Sequence, residues 1–222
     1  MAEPDRTLAR RLAHESLARG DAIGWFDALY NAAQGDAAHV PWADQRVNPN
    51  LAAWLEGRAP AASQARALVV GCGLGDDAEH LAARGYRVTA FDVSQRAIEW
   101  CRQRFPQSPV EYRVADLLHT PPEWRRAFDL VVEIYTLQVL PPEMRSAAQR
   151  NLAAAVSPAG TLLVMARARE AGDDRGTMPW PLTKEELVPA DDGDLKVAAF
   201  DDFWDTSEAP PVRRFRVEYR RR

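Results

Sequence analysis

The sequence predicts an α/β fold, a mostly parallel sheet of about seven strands with helices on both faces. Three observations predict it. The short apolar run Ala67-Leu68-Val69-Val70 has no helical period and breaks into a glycine-rich turn and then an acid-led helical pattern, which reads as strand, turn and helix. Further strand-like runs at Tyr86–Phe91, Val110–Val114 and Phe128–Val132 follow it, with a helical pattern between them as parallel strands require. Each of these runs is followed by an acid, Asp92, Asp116 or Glu133, at the strand ends where open α/β sheets bind ligands.

The chain of 222 residues fits one domain with a substantial core. A net charge of −4 argues against a nucleic-acid partner. The arginine-rich run Arg213–Arg220 is the counter-case, but Phe215, Val217 and Tyr219 alternate with polar positions, which predicts an edge strand with a solvated charged face. With no apolar run of transmembrane length and no signal-like start, no membrane partner is expected and the cytoplasm is the expected compartment. Cys72 and Cys101 lie far apart in sequence and agree with a reducing compartment. His14, His39, His80 and His119 are scattered, and no metal site is indicated.

From the amino terminus, Leu8, Leu12 and Leu17 predict an amphipathic helix from about Asp5 to Gly20. Asp21 leads a second helical stretch carrying Trp25, Phe26, Leu29 and Tyr30. A loop with Pro41-Trp42 follows, and Pro49-Asn50 opens a helix containing Leu51, Trp54 and Leu55. The glycine turn is Gly71-Cys72-Gly73-Leu74-Gly75-Asp76-Asp77. A dinucleotide fingerprint wants a small residue where Asp76 stands, and a carboxylate there would face a pyrophosphate, which disfavours NAD or FAD. A ligand without phosphates that carries an ammonium and a sulfonium suits the turn, namely S-adenosylmethionine; a purely structural glycine turn is the alternative. Asp92 lies about 20 residues beyond Gly71, the spacing at which an acid reaches ribose hydroxyls. Ser94 is available as the N-cap of the helix holding Ala97, Ile98 and Cys101.

With these motifs in order, the region from Ala67 to about Arg167 resembles a class I S-adenosylmethionine-dependent methyltransferase. The resemblance implies a Rossmann-like sheet with an antiparallel last strand. It also implies that Gly71, Cys72, Gly73 and Gly75 line the methionine end, that Asp92 with Val93 holds the ribose, and that Asp116 and Leu117 border the adenine. Glu133 and Ile134 complete the implied cofactor set. The family often has an acid where this chain has Val69, so Asp76 or Asp77 is expected to orient the ammonium group. The amino-terminal aromatics, Pro-Trp and Asn-Pro resemble the thiopurine, thiol and halide methyltransferases and their tellurite-resistance relatives. That implies a helical lid over residues 1–60 on a cofactor-binding core over 61–222, with Trp25, Tyr30 and Trp42 as the matching aromatics. An aromatic face stabilises a sulfonium by about 1 to 2 kcal/mol when water is excluded. Trp54 is assigned to the core.

After Glu133-Ile134-Tyr135, the segment to Leu140 sits where this fold places a loop between cofactor and substrate. Several thiopurine-type relatives have an acid-Arg-Gly sequence there; its absence argues against an anionic or purine-like acceptor. A helix from Pro141 is expected to turn Met144, Ala148 and Leu152 to the sheet, and Pro158-Ala159-Gly160 to turn into a strand from Thr161 to Ala166. The long loop Gly172–Leu182 suggests a lid with Met178 and Trp180 as substrate wall, joined by Trp42 and Tyr135 as substrate-binding residues, and Thr183 caps a short helix through Glu186. Leu195–Phe200 and Val212–Tyr219 read as the last strands, which the family pairs as an antiparallel hairpin; Asp201–Asp205 receives no role.

The expected activity is methyl transfer from S-adenosylmethionine to a small-molecule nucleophile, a thiol or related soft acceptor that is already partly ionised near neutral pH. An oxygen or nitrogen acceptor is the alternative, with Glu133, Tyr135 or His119 as base. A non-catalytic cofactor-binding module is a lesser reading, and a dinucleotide oxidoreductase is disfavoured by Asp76. A monomer or homodimer is expected.

Overall fold

The run before the glycine turn forms β1 (Arg66–Val70), buried from Ala67 onward. It pairs in parallel with β2 (Arg87–Asp92), which pairs in parallel with β3 (Glu111–Val114). The computed structural model describes residues 6–187 and 194–222. Asp5, the expected start of the first helix, lies outside them. The described residues fall into two compact units, one up to Asp116 and one from Leu117 onward.

In the first unit, α1 (Thr7–Ala18) buries Ala9, Ala13 and Ser16, while Leu8, Leu12 and Leu17 are half-buried. The expected leucine face is therefore corrected: small residues are the buried ones on α1, which packs on α2 (Gly24–Ala32). Asp21 accepts from the Ile23 and Gly24 N–H groups at 3.1 and 2.8 Å and so leads α2 as expected. Asn48 caps α3 (Pro49–Leu55), accepting from Asn50 N at 2.9 Å. Trp54 on α3 is buried, as assigned. Two crossover helices complete the unit. α4 (Asp76–Ala83) packs on β1 and β2, and α5 (Gln95–Arg104) on β2 and β3. Ser94 Oγ caps α5 by accepting from Ala97 N at 3.0 Å, and donates to Asp27 Oδ1 of α2 at 2.6 Å.

The amino-terminal helices are built into this unit. Tyr30, Ala33, Ala37 and Val40 share one buried cluster with Leu74, Ala97 and Trp100. Residues up to about 60 thus supply part of the core of this unit.

The second unit carries β4 (Phe128–Ile134) and β5 (Val156–Arg167), paired in parallel. Between them α6 (Pro142–Ala155) packs on both strands. Ala148 and Leu152 are buried as expected, but Arg145 is buried where Met144 was anticipated. β5 starts at Val156, ahead of the expected Pro158–Gly160 turn, and Ala159 takes a φ of 60° within it. Two strands close the chain, β6 (Leu195–Asp205) and β7 (Val212–Arg221). β7 pairs antiparallel with both β5 and β6, so the edge-strand expectation for its arginines is corrected. Alternation was read rightly, since Phe215, Val217 and Tyr219 are buried. The arginines, however, are neutralised across the ladder: Arg213 meets Asp202 at 2.7 Å, Arg214 meets Asp205 at 2.9 Å and Arg216 meets Asp201 at 2.9 Å. The acidic segment left without a role is therefore the charge complement of β7 and extends β6 to Asp205.

Strand order in the seven-stranded sheet is β3-β2-β1-β4-β5-β7-β6, with helices around it, which is the expected α/β architecture. Among the described residues no helix is long and apolar enough to cross a membrane.

Candidate cofactor site and the segment after the fourth strand

The turn between β1 and α4 works only with glycine. Gly73 has a φ of 54°, and a Cβ there would stand 3.3 Å from Tyr30 Oη and 3.7 Å from Trp42 Cδ1. Gly75, at φ 91°, begins α4, and a Cβ would come within 2.5 Å of Tyr112 Oη. The backbone here is pressed close beneath side chains that a branched residue would displace.

Asp92 ties β2 to this turn. Its carboxylate is buried, accepts from Gly73 N at 3.0 Å on Oδ2 and accepts from Ser94 N at 3.0 Å on Oδ1. Burial pushes its pKa up to about 6, against the lowering effect of those N–H donors. Each oxygen has lone-pair capacity beyond one backbone donor. Val93, next in sequence, is half-buried. Cys72 is half-buried, and hydrogen bonding with the Cys101 thiol, then burial, pushes its own thiol well up. Cys101 Sγ donates to Gly73 O at 3.2 Å, which ties α5 to the turn.

The two acids after the turn are separated by their partners. Asp76 receives a bidentate pair from Arg104, Nη1 at 2.8 Å and Nη2 at 2.9 Å. Its charge is thereby answered within the unit. Asp77 accepts from Asn48 N at 2.7 Å, and burial pushes it up to about 6. Asp116 is half-buried at the end of β3.

The aromatics also divide. Trp25 and Tyr30 are 2 % and 1 % exposed, whereas Trp42 is 38 % exposed. Trp42 Nε1 donates to Tyr30 Oη at 2.7 Å, and Trp25 meets the Trp42 ring edge-on with centroids 6.0 Å apart. Trp25 and Tyr30 thus brace Trp42, which is the member of the three with open surface beside Gly73. Sequence reading missed Arg104, Tyr112 and Asp27, whose partners lie 28, 33 and 67 residues away and leave no local signal.

The second unit holds the remaining candidates. Glu133 is fully buried near the end of β4; its Oε1 accepts from Thr136 N at 2.6 Å and Leu137 N at 3.0 Å. Its Oε2 is buried with no hydrogen-bond partner among the described residues. Burial pushes Glu133 up to about 7. Ile134 and Tyr135 are half-buried; Tyr135 has a φ of 67° and lies 4.1 Å beneath the Arg214 guanidinium. Leu117 is buried, held by Asn151 Nδ2 donating to its carbonyl at 2.8 Å, and His119 is exposed two residues on. Met178 is buried, and Trp180 N donates to Gln138 O at 2.8 Å, which fastens the long loop to the segment after β4. The Thr183 cap forms as a reciprocal pair, Glu186 N to Thr183 Oγ1 at 3.3 Å and Thr183 N to Glu186 Oε2 at 3.0 Å.

Comparison with known proteins bears on the family and the fold. Residues 67–160 match the profile of a family described as a methyltransferase domain. Thiocyanate methyltransferase 1 of Brassica oleracea is 27% identical over 128 residues, which is 57% of this chain and 56% of that protein. A probable thiol methyltransferase 2 of Arabidopsis thaliana is 26% identical over 160 residues, 71% of this chain and 67% of its own length. The chain thus spans little more than half of the first of these relatives. The N-methyltransferase NodS from Bradyrhizobium japonicum, solved in complex with S-adenosyl-L-homocysteine, shares the fold with a TM-score of 0.64 at 23% identity, over 87% of this chain and 98% of that one. Residues 67–160 thus match a methyltransferase domain over less than half of the chain, and the chain is similar to proteins named as thiocyanate and thiol methyltransferases.

Proposed function

We propose that this chain transfers a methyl group from S-adenosylmethionine to a small-molecule nucleophile, a thiol or related soft acceptor. The observation that carries the reading is the Gly73 turn, whose backbone lies under Tyr30 and Trp42 and is joined by its N–H to buried Asp92. The residues fit the cofactor: a Cβ would fill the cradle at Gly73, and Asp92 keeps acceptor capacity for hydroxyls. When bound, S-adenosylmethionine supplies an electrophilic methyl group on a sulfonium.

Asp92 would hold the ribose, Gly71 to Gly75 the methionine end, and Trp42 would exclude water while its ring face favours the positive charge. Asp77, rather than the Arg104-bound Asp76, is the acid suited to an ammonium group. Leu117, Glu133 and Ile134 enter this reading through the family resemblance alone. A thiol needs no dedicated base, and the names of the two plant relatives favour sulfur or a similarly soft acceptor. The second reading, an oxygen or nitrogen acceptor, is favoured by Glu133: a carboxyl held near 7 with one unpartnered oxygen has the properties of a general base.

Calorimetry with S-adenosylhomocysteine, followed by isotope-labelled methyl transfer to a panel of thiols, phenols and heterocyclic amines, tests both. Thiol turnover supports the first reading. Turnover confined to phenols or amines supports the second, and cofactor binding without any turnover would leave a binding module.

A further inference from the structure

Arg145 lies in α6 and is 4 % exposed. Its Nε donates to Leu140 O at 3.0 Å and its Nη1 to Glu186 Oε1 at 2.9 Å. Its Nη2 is buried with no hydrogen-bond partner among the described residues. Glu186 is heavily shared: its Oε2 takes Arg169 Nη2 at 2.8 Å, and Arg175 Nη2 lies 3.6 Å from its Oε1. Three guanidinium groups thus converge on one carboxylate. A buried cation with an idle donor and a shared counter-charge is costly unless an anion completes it.

The surroundings suggest which anion. A guanidinium fork matches the two oxygens of a carboxylate. The Trp180 ring lies 5.7 Å from the Arg145 guanidinium carbon and offers an apolar flank. The Arg175 side chain is 52% exposed, which places a cation at the rim of an otherwise covered cluster. The whole group hangs on the segment that leaves β4, through Leu140 to Arg145 and through Gln138 to Trp180.

We propose that Arg145, Arg169 and Arg175, with Trp180 beside them, form a binding site for the carboxylate of a small organic acid. As the anchor of the methyl acceptor, the site rests on the proposed methyl transfer; as a carboxylate site it stands alone. It also supplies, from α6 and the long loop, the arginine that the segment after β4 lacks, so an anionic acceptor returns to consideration.

The test uses the full chain, benzoate as probe and benzamide as its neutral counterpart, at fixed ionic strength, with tryptophan fluorescence and calorimetry as readouts. Saturable benzoate binding is expected, at least tenfold tighter than benzamide. Arg175→Gln should weaken it severalfold and Arg145→Gln at least tenfold. Equal binding of benzoate and benzamide, or benzoate affinity unchanged by Arg175→Gln, overturns the site. Arg175 is largely exposed, so that variant decides the matter even if Arg145→Gln does not fold. S-adenosylhomocysteine binding by the same samples is read separately: its absence counts against methyl transfer and leaves the carboxylate result intact.

Discussion

Replacing Glu133 by glutamine should stabilise the ligand-free protein above neutral pH, and much less in mild acid. The carboxyl is fully buried, its Oε1 is satisfied by two backbone N–H groups, and its Oε2 has no partner among the described residues. Burial therefore raises its folded-state pKa from an ordinary 4.5 to about 7. A carboxyl with a raised folded pKa favours the folded state most below its unfolded pKa, and that contribution is lost as pH rises through the folded value. Here the loss begins near pH 4.5 and is complete just above pH 7. At 1.36 kcal/mol for each pH unit of that interval, ionised Glu133 costs roughly 3 kcal/mol of stability in mild alkali and about 1 at pH 5.

Glutamine keeps an acceptor for Thr136 N and Leu137 N and places an uncharged group at the Oε2 position. It therefore resembles the protonated acid at every pH. Urea unfolding of both proteins at pH 5 and pH 8.5 isolates the effect, because other titrating groups cancel in the difference. The stability gained by the variant should be about 2 to 3 kcal/mol greater at pH 8.5, or several degrees in Tm for a chain of this size. A gain that is equal at the two pH values refutes the reasoning and shows Glu133 ionised in the folded protein throughout.

Asp92→Ala should weaken S-adenosylhomocysteine binding by about 1.5 to 3 kcal/mol in calorimetry and also lower the unfolding free energy, because the Gly73 and Ser94 N–H groups lose their acceptor. Wild-type binding by this carboxylate should strengthen from pH 5 to pH 7 as Asp92, held near 6, ionises; a flat profile in Asp92→Asn checks the assignment. Gly73→Val should abolish cofactor binding in the same assay, since its φ of 54° and the Tyr30 hydroxyl both oppose a branched side chain. Trp42→Ala should reduce cofactor affinity with a smaller loss of Tm than Trp54→Ala, because Trp42 is 38 % exposed and Trp54 only 9 %.

The glycine turn and its neighbours were legible because their signals are local. A backbone that needs positive φ demands glycine within a few residues of a strand end, and Gly73 and Gly75 meet that demand. Acids at strand ends and a serine before a helix report on the next turn of chain, so Asp92 and the Ser94 cap could be placed from sequence alone. The aromatic trio was found, but its division of labour was not. Burial separates the three, and for Tyr30 it depends on Leu74, Ala97 and Trp100, which come later in the chain.

What stayed hidden is charge pairing over distance. Alternation in β7 showed which side chains share a face, yet an inner strand with neutralised arginines alternates as an edge strand does. The difference lies in Asp201, Asp202 and Asp205 on β6, whose partners the register alone reveals. Arg145 is the same case at greater range: a helix pattern predicts an apolar residue on the buried side, and the guanidinium is accommodated only by Glu186, 41 residues on. The comparison separates the two. The β7 pairs of Arg213 and Arg216 each have an acid of their own across the ladder, whereas Arg145 shares Glu186 with two other arginines and keeps a buried donor unused. Arg214 also keeps a buried Nη1 without a partner among the described residues, but it has an acid of its own in Asp205. The sharing of one carboxylate by three guanidinium groups, rather than the idle donor, is what sets the cluster around Arg145 apart as the place where a ligand's charge would be used.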